Sequence, residues 1–202
     1  METKTHRSGL TLAAILDTAI SMAATDGLES LTVGELAKRL NLSKSGVFSR
    51  IGSREALQKA VVDEYGRRFI AAVFVPAMQA PKGLPRLDAI VQRWIAWTRD
   101  VESQTGCLFI AGAFELDDRD GELRDHLLHE VTRWRACLRR TVLQAVDSGE
   151  LKASTDAELL VSELSGLTMG LLHDVRFLRD AKAPERARTA WQRLIASYKN
   201  GD

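Results

Sequence analysis

The chain of 202 residues has little of what marks the specialised classes of protein. Its two cysteines, Cys107 and Cys137, form no CxxC pair, which argues against a zinc knuckle and a disulfide framework. No uninterrupted apolar run reaches the roughly 18 residues that cross a bilayer. The opening METKTHRSG is polar where a signal peptide needs an apolar stretch. We therefore expect a cytoplasmic protein with reduced thiols.

Proline is also scarce, and its positions divide the chain. Three of the four prolines, Pro76, Pro81 and Pro85, fall in one short stretch, and Pro184 lies near the end. Long proline-free segments remain, and apolar residues recur in them with a period near 3.6 rather than alternating as in strands. The sequence therefore predicts an all-α protein.

Three hydroxyl side chains mark helix starts in the first 60 residues. Thr32 stands three residues before Glu35, as in a capping box, and the preceding helix stops at Asp26-Gly27. Ser43 and Ser53 are placed to cap a third and a fourth helix. Two short helices joined by a tight turn and braced by an earlier helix form a helix-turn-helix of the three-helix type, which reads DNA.

The chain has no overall excess of either charge, since its formal net charge is only +1. Affinity for a polyanion must therefore come from local clustering. The segment from Lys38 to Arg54 has no acidic residue and five basic ones: Lys38, Arg39, Lys44, Arg50 and Arg54. Such a run is either a solvated face or a phosphate-binding patch, and its coincidence with the capped turn favours the patch.

Residues 9–60 resemble the DNA-binding domain of the tetracycline-repressor (TetR) family. The matching positions are Thr32, Ala37, Asn41-Leu42-Ser43, Gly46, Phe48 and the start of the fourth helix at Ser53-Arg54-Glu55-Ala56-Leu57. Three positions depart from the family pattern: Phe48 replaces the usual tyrosine, Arg50 a histidine, and Ile51 a phenylalanine.

The resemblance implies two domains joined by a long fourth helix: a helix-turn-helix domain over residues 1–60 and an effector-binding and dimerisation domain over residues 61–202. The residues expected at the DNA are Thr32, Ser43, Lys44, Ser45, Gly46, Phe48, Ser49, Arg50 and Arg54. Within this set we expect Lys44 and Arg50 to contact phosphate, and Ser45 and Ser49 to face base edges.

Eleven of the twelve aromatic residues lie beyond residue 60, including all four tryptophans. They fill a core or line a cavity, and for a single aromatic residue the core is the commoner place. By analogy with the family, whose fifth to eighth helices enclose the effector, the expected pocket residues are Trp94, Trp97, Phe109, Phe114, Trp134, Met169 and His173.

Small residues recur every four positions on the eighth helix, at Ser162, Gly166 and Gly170. Interior glycines cost roughly 1 kcal/mol each relative to alanine, so a close packing contact is expected to compensate for them. The resemblance implies a homodimer through the last two helices, with Gly166, Gly170, Trp191 and Leu194 at the interface. Packing within one chain is the alternative.

Enzyme motifs such as GxSxG, GxxxxGK[ST] and HExxH are missing. The alternative function is a helical metal-binding protein or oxidase-like enzyme using His126, His129 and Glu130 of the segment HLLHE, although a surface histidine pair is far commoner. An adaptor with a vestigial helix-turn-helix also stays open.

The prediction is therefore a homodimeric transcriptional regulator, a repressor without catalytic activity or cofactor. Its expected partners are a palindromic double-stranded DNA operator and a small apolar or aromatic effector that releases it, with no membrane involved.

Overall fold

The computed structural model describes residues 12–200, and within that range the secondary structure is helical, without strands. Residues 12–200 form nine helices of seven residues or more: α1 (Leu12–Asp26), α2 (Val33–Arg39), α3 (Lys44–Ile51), α4 (Arg54–Phe69), α5 (Leu84–Trp97), α6 (Leu108–Glu115), α7 (Glu122–Asp147), α8 (Ala157–Arg176) and α9 (Ala183–Tyr198). The all-α prediction is confirmed. Among the described residues, no helix is long and apolar enough to span a membrane.

Two helices end in π-helical turns that the sequence pattern did not predict. α4 continues as a π-helix over Ile70–Phe74, and α5 does so over Thr98–Glu102. Pro76 gives a physical reason for the first turn, because a proline clashes with the carbonyl four residues earlier and has no N–H to donate to it. The segment before Pro76 is therefore not the uniform α-helix that we expected.

The three predicted caps are present. The hydroxyl oxygens of Thr32, Ser43 and Ser53 each accept a hydrogen bond of 3.1 Å from the backbone N–H three residues later. Such caps stabilise a helix by about 1 kcal/mol each. They fix where α2, α3 and α4 begin.

The first of two compact units comprises the described residues up to Arg67 together with Leu108–Leu128. Its core consists of the buried face of α1 and the fully buried side chains of Leu36, Val47 and Leu57. α6 is fixed in this unit by the Glu115 carboxylate, which accepts hydrogen bonds of 2.8 Å from the N–H groups of Leu28 and Glu29. The expectation of a domain ending at residue 60 did not include this later segment.

The second unit comprises Arg68–Cys107 and the chain from His129 onward. Its apolar core draws on α5, α7, α8 and α9. Trp191 lies in this core with 0% exposure, and its indole N–H donates to Asp88 Oδ1 at 2.8 Å. The expectation that Trp191 contacts a second copy of the chain is therefore wrong: the α9 stripe on which it lies packs inward. Leu194 is half-buried against the same core.

Candidate nucleic-acid interface and ligand site

The turn between α2 and α3 holds the two helices together. Asn41 has a left-handed backbone with φ of 52°, which asparagine tolerates better than most residues. The N–H of Leu42 bonds to the carbonyl of Ala37 at 2.9 Å and closes the end of α2. On the inner side of α3, Val47 is completely buried. These contacts fix which side of α3 faces solvent.

The outward side of α3 carries the residues expected to read DNA. Ser45, Phe48 and Ser49 are spaced by three and four positions, so they share one face, and all three are exposed. Phe48 is 55% exposed although it is a large apolar residue. An exposed aromatic ring flanked by two hydroxyls is suited to the mixed polar and methyl surface of a major groove.

Of the nine residues predicted to contact DNA, eight are exposed and Gly46 is half-buried. Gly46 has a structural reason to be glycine. A Cβ at this position would lie 3.0 Å from Ser43 Oγ, the atom that accepts the Gly46 N–H. A larger residue at this position would therefore displace the Ser43 hydroxyl by a few tenths of an ångström.

The basic residues of this surface differ in what they contact. Lys38 lies 3.9 Å from Glu35, and Arg39 lies 3.2 Å from Asp26. Within residues 12–200, by contrast, no carboxylate pairs with Lys44 or Arg50. Arg50 donates to the Gly46 carbonyl at 2.7 Å, which directs its guanidinium along α3. Both cations keep their charge available for phosphate.

Arg54 has a structural contact that sequence reasoning missed. Its guanidinium donates to the carbonyl of Leu31 at 3.2 Å and also to that of Glu29. Both carbonyls belong to the turn between α1 and α2. Arg54 therefore stabilises that turn, in addition to its predicted role at the DNA.

Three of the seven predicted ligand residues belong to one aromatic cluster of the second unit. Phe69 is at its centre, with ring centroids 5.7 Å from Trp94, 6.1 Å from Trp97 and 4.9 Å from Trp134. Phe74 joins it at 6.0 Å from Trp134. Phe69 and Phe74 were not among the predicted ligand residues; both lie in the segment that leads to Pro76.

The other four predicted ligand residues are not members of this aromatic cluster. Phe109 packs against Tyr65 in the first unit at 5.1 Å, and Phe114 of the same unit is 63% exposed. Met169 and His173 are exposed on α8, where His173 hydrogen-bonds to Asp174 and, with Arg186, lowers the pKa of that carboxyl. Phe109 and Phe114 therefore belong to the first unit, and within the second unit Met169 and His173 are exposed rather than packed in the aromatic cluster.

One face of α8 is exposed and partly apolar. It carries Leu159, Gly166, Met169 and Gly170, and the exposed Phe177 follows directly after the helix. A Cβ added at either glycine would meet no atom within 4 Å of it. Packing within the described chain therefore does not account for these two glycines.

The candidate metal ligands of HLLHE lie at the surface, and two of them form ion pairs. His126 Nε2 lies 2.7 Å from Asp63 Oδ1, His129 is exposed, and Glu130 pairs with Arg133 at 2.6 Å. No group of three or more potential metal ligands occurs among residues 12–200. The metal-binding alternative is not favoured.

Two family models match the chain. The model of bacterial regulatory proteins of the tetR family matches residues 15–61, and the tetracyclin repressor-like C-terminal domain matches residues 83–191. No curated protein matches the chain.

Solved structures share the fold at low sequence identity. A TetR transcriptional regulator from Chloroflexus aurantiacus J-10-FL is 20% identical, with a TM-score of 0.78 over 93% of this chain and 94% of that one. A TetR-family regulator from Cytophaga hutchinsonii is 18% identical, with a TM-score of 0.77 over 93% and 94%. AibR, solved in complex with isovaleryl coenzyme A and operator DNA, is 21% identical, with a TM-score of 0.65 over 79% and 84%.

Proposed function

The chain belongs to the tetracycline-repressor family of bacterial transcriptional regulators, and from this premise we propose that it is a homodimeric repressor of a near-palindromic operator. A small apolar or aromatic effector releases it from DNA. The role is that of a regulator, and we assign it no catalytic step.

The capped pair of α2 and α3 is the observation that carries this proposal. Ser43 fixes the start of α3, Val47 anchors its inner side, and the outer side is exposed and free of acidic residues. Recognition helices of this type lie in the major groove and contact base edges with residues near their N-terminus.

The exposed residues of α3 divide into two roles. Lys44 and Arg50 contact phosphates, because neither has a carboxylate partner among the described residues and neither is bound, as Arg54 is, to the turn between α1 and α2. Ser45 and Ser49 face base edges, and Phe48 contacts a thymine methyl group. Phosphate contacts supply affinity, and base contacts supply sequence preference.

The homodimer forms through the exposed face of α8. Gly166 and Gly170 let a second α8 approach closely, and Leu159 and Met169 become buried beside them. Trp191 has no part in this interface. A two-fold dimer reads two half-sites about one helical turn of DNA apart, roughly 34 Å, which is why the operator is near-palindromic.

The effector enters the aromatic cluster of the second unit. Five aromatic rings, those of Phe69, Phe74, Trp94, Trp97 and Trp134, pack edge-to-face there and make the site apolar. The solved complex of AibR with an acyl coenzyme A and operator DNA supports the use of this fold for both kinds of ligand.

DNA binding tests the proposal directly. We expect fluorescence anisotropy to show tighter binding to DNA flanking the protein's own gene than to an unrelated duplex of equal length. The two affinities are compared at physiological salt, because nonspecific binding weakens with salt. Equal affinity for both duplexes would favour the adaptor with a vestigial helix-turn-helix.

A further inference from the structure

The indole N–H of Trp134 has no hydrogen-bond partner among the described residues, although the side chain is only 8% exposed. Two other tryptophans of the same unit do have partners: Trp97 donates to Glu102 at 3.1 Å and Trp191 to Asp88 at 2.8 Å. A buried unsatisfied N–H is costly and rare in folded proteins, so it calls for a cause.

Aromatic rings surround Trp134 on several sides. Phe69, Trp94 and Phe74 pack edge-to-face on it, with centroid distances of 4.9, 5.4 and 6.0 Å. A ring face offers an N–H only a weak interaction. Water is a poor partner beside these rings, because an ordered buried water needs two or more polar contacts.

The two π-helical turns border the same cluster. One starts directly after Phe69 and contains Phe74, and the other starts directly after Trp97. π-Helical turns are rare and occur frequently at functional sites. Phe74 and Trp97 are also the half-buried rings of the five, so they form the solvent side of the cluster.

We propose that Trp134 is the hydrogen-bond donor of the effector site and that the effector is an aromatic or alicyclic molecule with a neutral carbonyl group. The ring skeleton packs between the aromatic side chains, and the carbonyl oxygen accepts the Trp134 N–H. A carboxylate is a poorer ligand, because it loses its hydration among uncharged rings. This inference rests on the proposed function for the biological role of the ligand.

Indole N–H resonances of the ¹⁵N-labelled protein test the proposal. The probes are 2-acetylnaphthalene, the matched hydrocarbon 2-ethylnaphthalene, and 2-naphthoate as the anion. We expect the ketone, and not the hydrocarbon, to move downfield the resonance that Trp134→Phe removes. The variant should bind the ketone about five- to tenfold more weakly, as for one lost hydrogen bond, and the hydrocarbon equally well.

Trp191→Phe is the matched control, since it makes the same substitution in the same unit at an indole that is already paired. It should leave ketone affinity unchanged. The proposal is overturned if saturating ketone leaves the Trp134 resonance in place, if the protein binds neither neutral probe, or if naphthoate binds more tightly than the ketone.

Operator binding is measured separately on the same samples. A ketone that moves the Trp134 resonance but leaves operator affinity unchanged supports the binding site and contradicts its role in induction. A protein that moves this resonance but does not bind DNA supports the site and contradicts the regulator. The two proposals therefore fail independently.

Discussion

At the scale of single residues, two buried tryptophans differ in whether their indole N–H has a hydrogen-bond acceptor. Trp191 is fully buried, and its N–H bonds to Asp88, whereas the N–H of Trp134 has no partner among the described residues. Both lie on the apolar sides of amphipathic helices, a position typical of buried residues. Periodicity does not predict which indole finds an acceptor, because the acceptor comes from another helix.

This difference predicts unequal costs for one substitution. Trp191→Phe loses a hydrogen bond to a carboxylate, whereas Trp134→Phe removes an unsatisfied N–H; the loss of ring volume is alike in both. We expect the free energy of unfolding to be lower in Trp191→Phe than in Trp134→Phe by about 1–2 kcal/mol. Urea denaturation measures it, and equal values would show that Trp134 is paired in solution.

At the scale of elements, α3 predicts how DNA affinity depends on salt. Lys44→Ala and Arg50→Ala should each weaken binding to every sequence and reduce the slope of log affinity against log salt by about 0.9 per lost phosphate contact. Ser45→Ala and Ser49→Ala should instead change the preference among operator variants. Anisotropy titrations over a range of salt give both quantities.

The control for these variants is Lys182→Ala, which removes an equal charge from an exposed position in the second unit. Its salt slope should match that of the unmodified protein. If the Lys44 and Arg50 variants keep that slope as well, these residues do not contact phosphate.

The attachment of α6 gives a second prediction at this scale. Glu115 accepts two backbone N–H groups at the turn between α1 and α2, and an amide at this position cannot accept both equally well. Glu115→Gln should lower the free energy of unfolding by about 2 kcal/mol and also weaken operator binding, because that turn leads into α2. Thermal unfolding and anisotropy measure the two effects.

Glu150→Gln is the matched control, because Glu150 accepts from the backbone N–H of Leu84 and from Ser148 in the second unit. It should lower stability by less than Glu115→Gln, because both donors bond to the same oxygen of Glu150, and operator affinity should stay unchanged. Equal losses of operator affinity in both variants would mean that Glu115 acts only through general stability.

These elements also show which contacts of the fold could be predicted from the sequence. The caps at Thr32, Ser43 and Ser53 were predictable because each joins residues three apart. The contact of Glu115 with Leu28 spans 87 positions, and no local pattern encodes it. The bond between Trp191 and Asp88 is equally remote, because it joins residues of two helices that are 103 positions apart in the sequence.

At the scale of the whole molecule, the glycines of α8 distinguish packing within one chain from packing between two copies of the chain. Alanine at Gly170 meets no atom of the described chain within 4 Å and should favour the helix by about 1 kcal/mol. A bulky leucine there should separate the two helices of the dimer. We expect Gly170→Leu to be folded but shifted toward monomer in sedimentation velocity, with weaker operator binding.

The same substitution at Gly149, which lies beyond the end of α7, is no control because its φ of 75° disfavours any side chain. Ala153→Leu is suitable instead, at an exposed position outside the helices. It should leave the sedimentation coefficient unchanged. A Gly170→Leu variant that sediments like the unmodified protein would contradict the α8 interface.

Induction is a property of the whole proposed dimer. An effector changes operator affinity only if it binds better to a conformation that does not bind the operator, so tight binding alone has no effect. A hundredfold difference in affinity corresponds to roughly 2.7 kcal/mol per site. Linkage requires operator DNA to weaken effector binding by the same factor by which the effector weakens operator binding.

Titration in both directions tests this equality, with effector binding followed by calorimetry in the presence and absence of saturating operator. Trp94→Ala should weaken effector binding, because Trp94 packs on Phe69 and Trp134 within the aromatic cluster. His173→Ala, at an exposed position on α8, should leave it unchanged. An effector whose affinity is the same with and without operator binds the protein without controlling it, and that result would remove the aromatic cluster from the mechanism of induction.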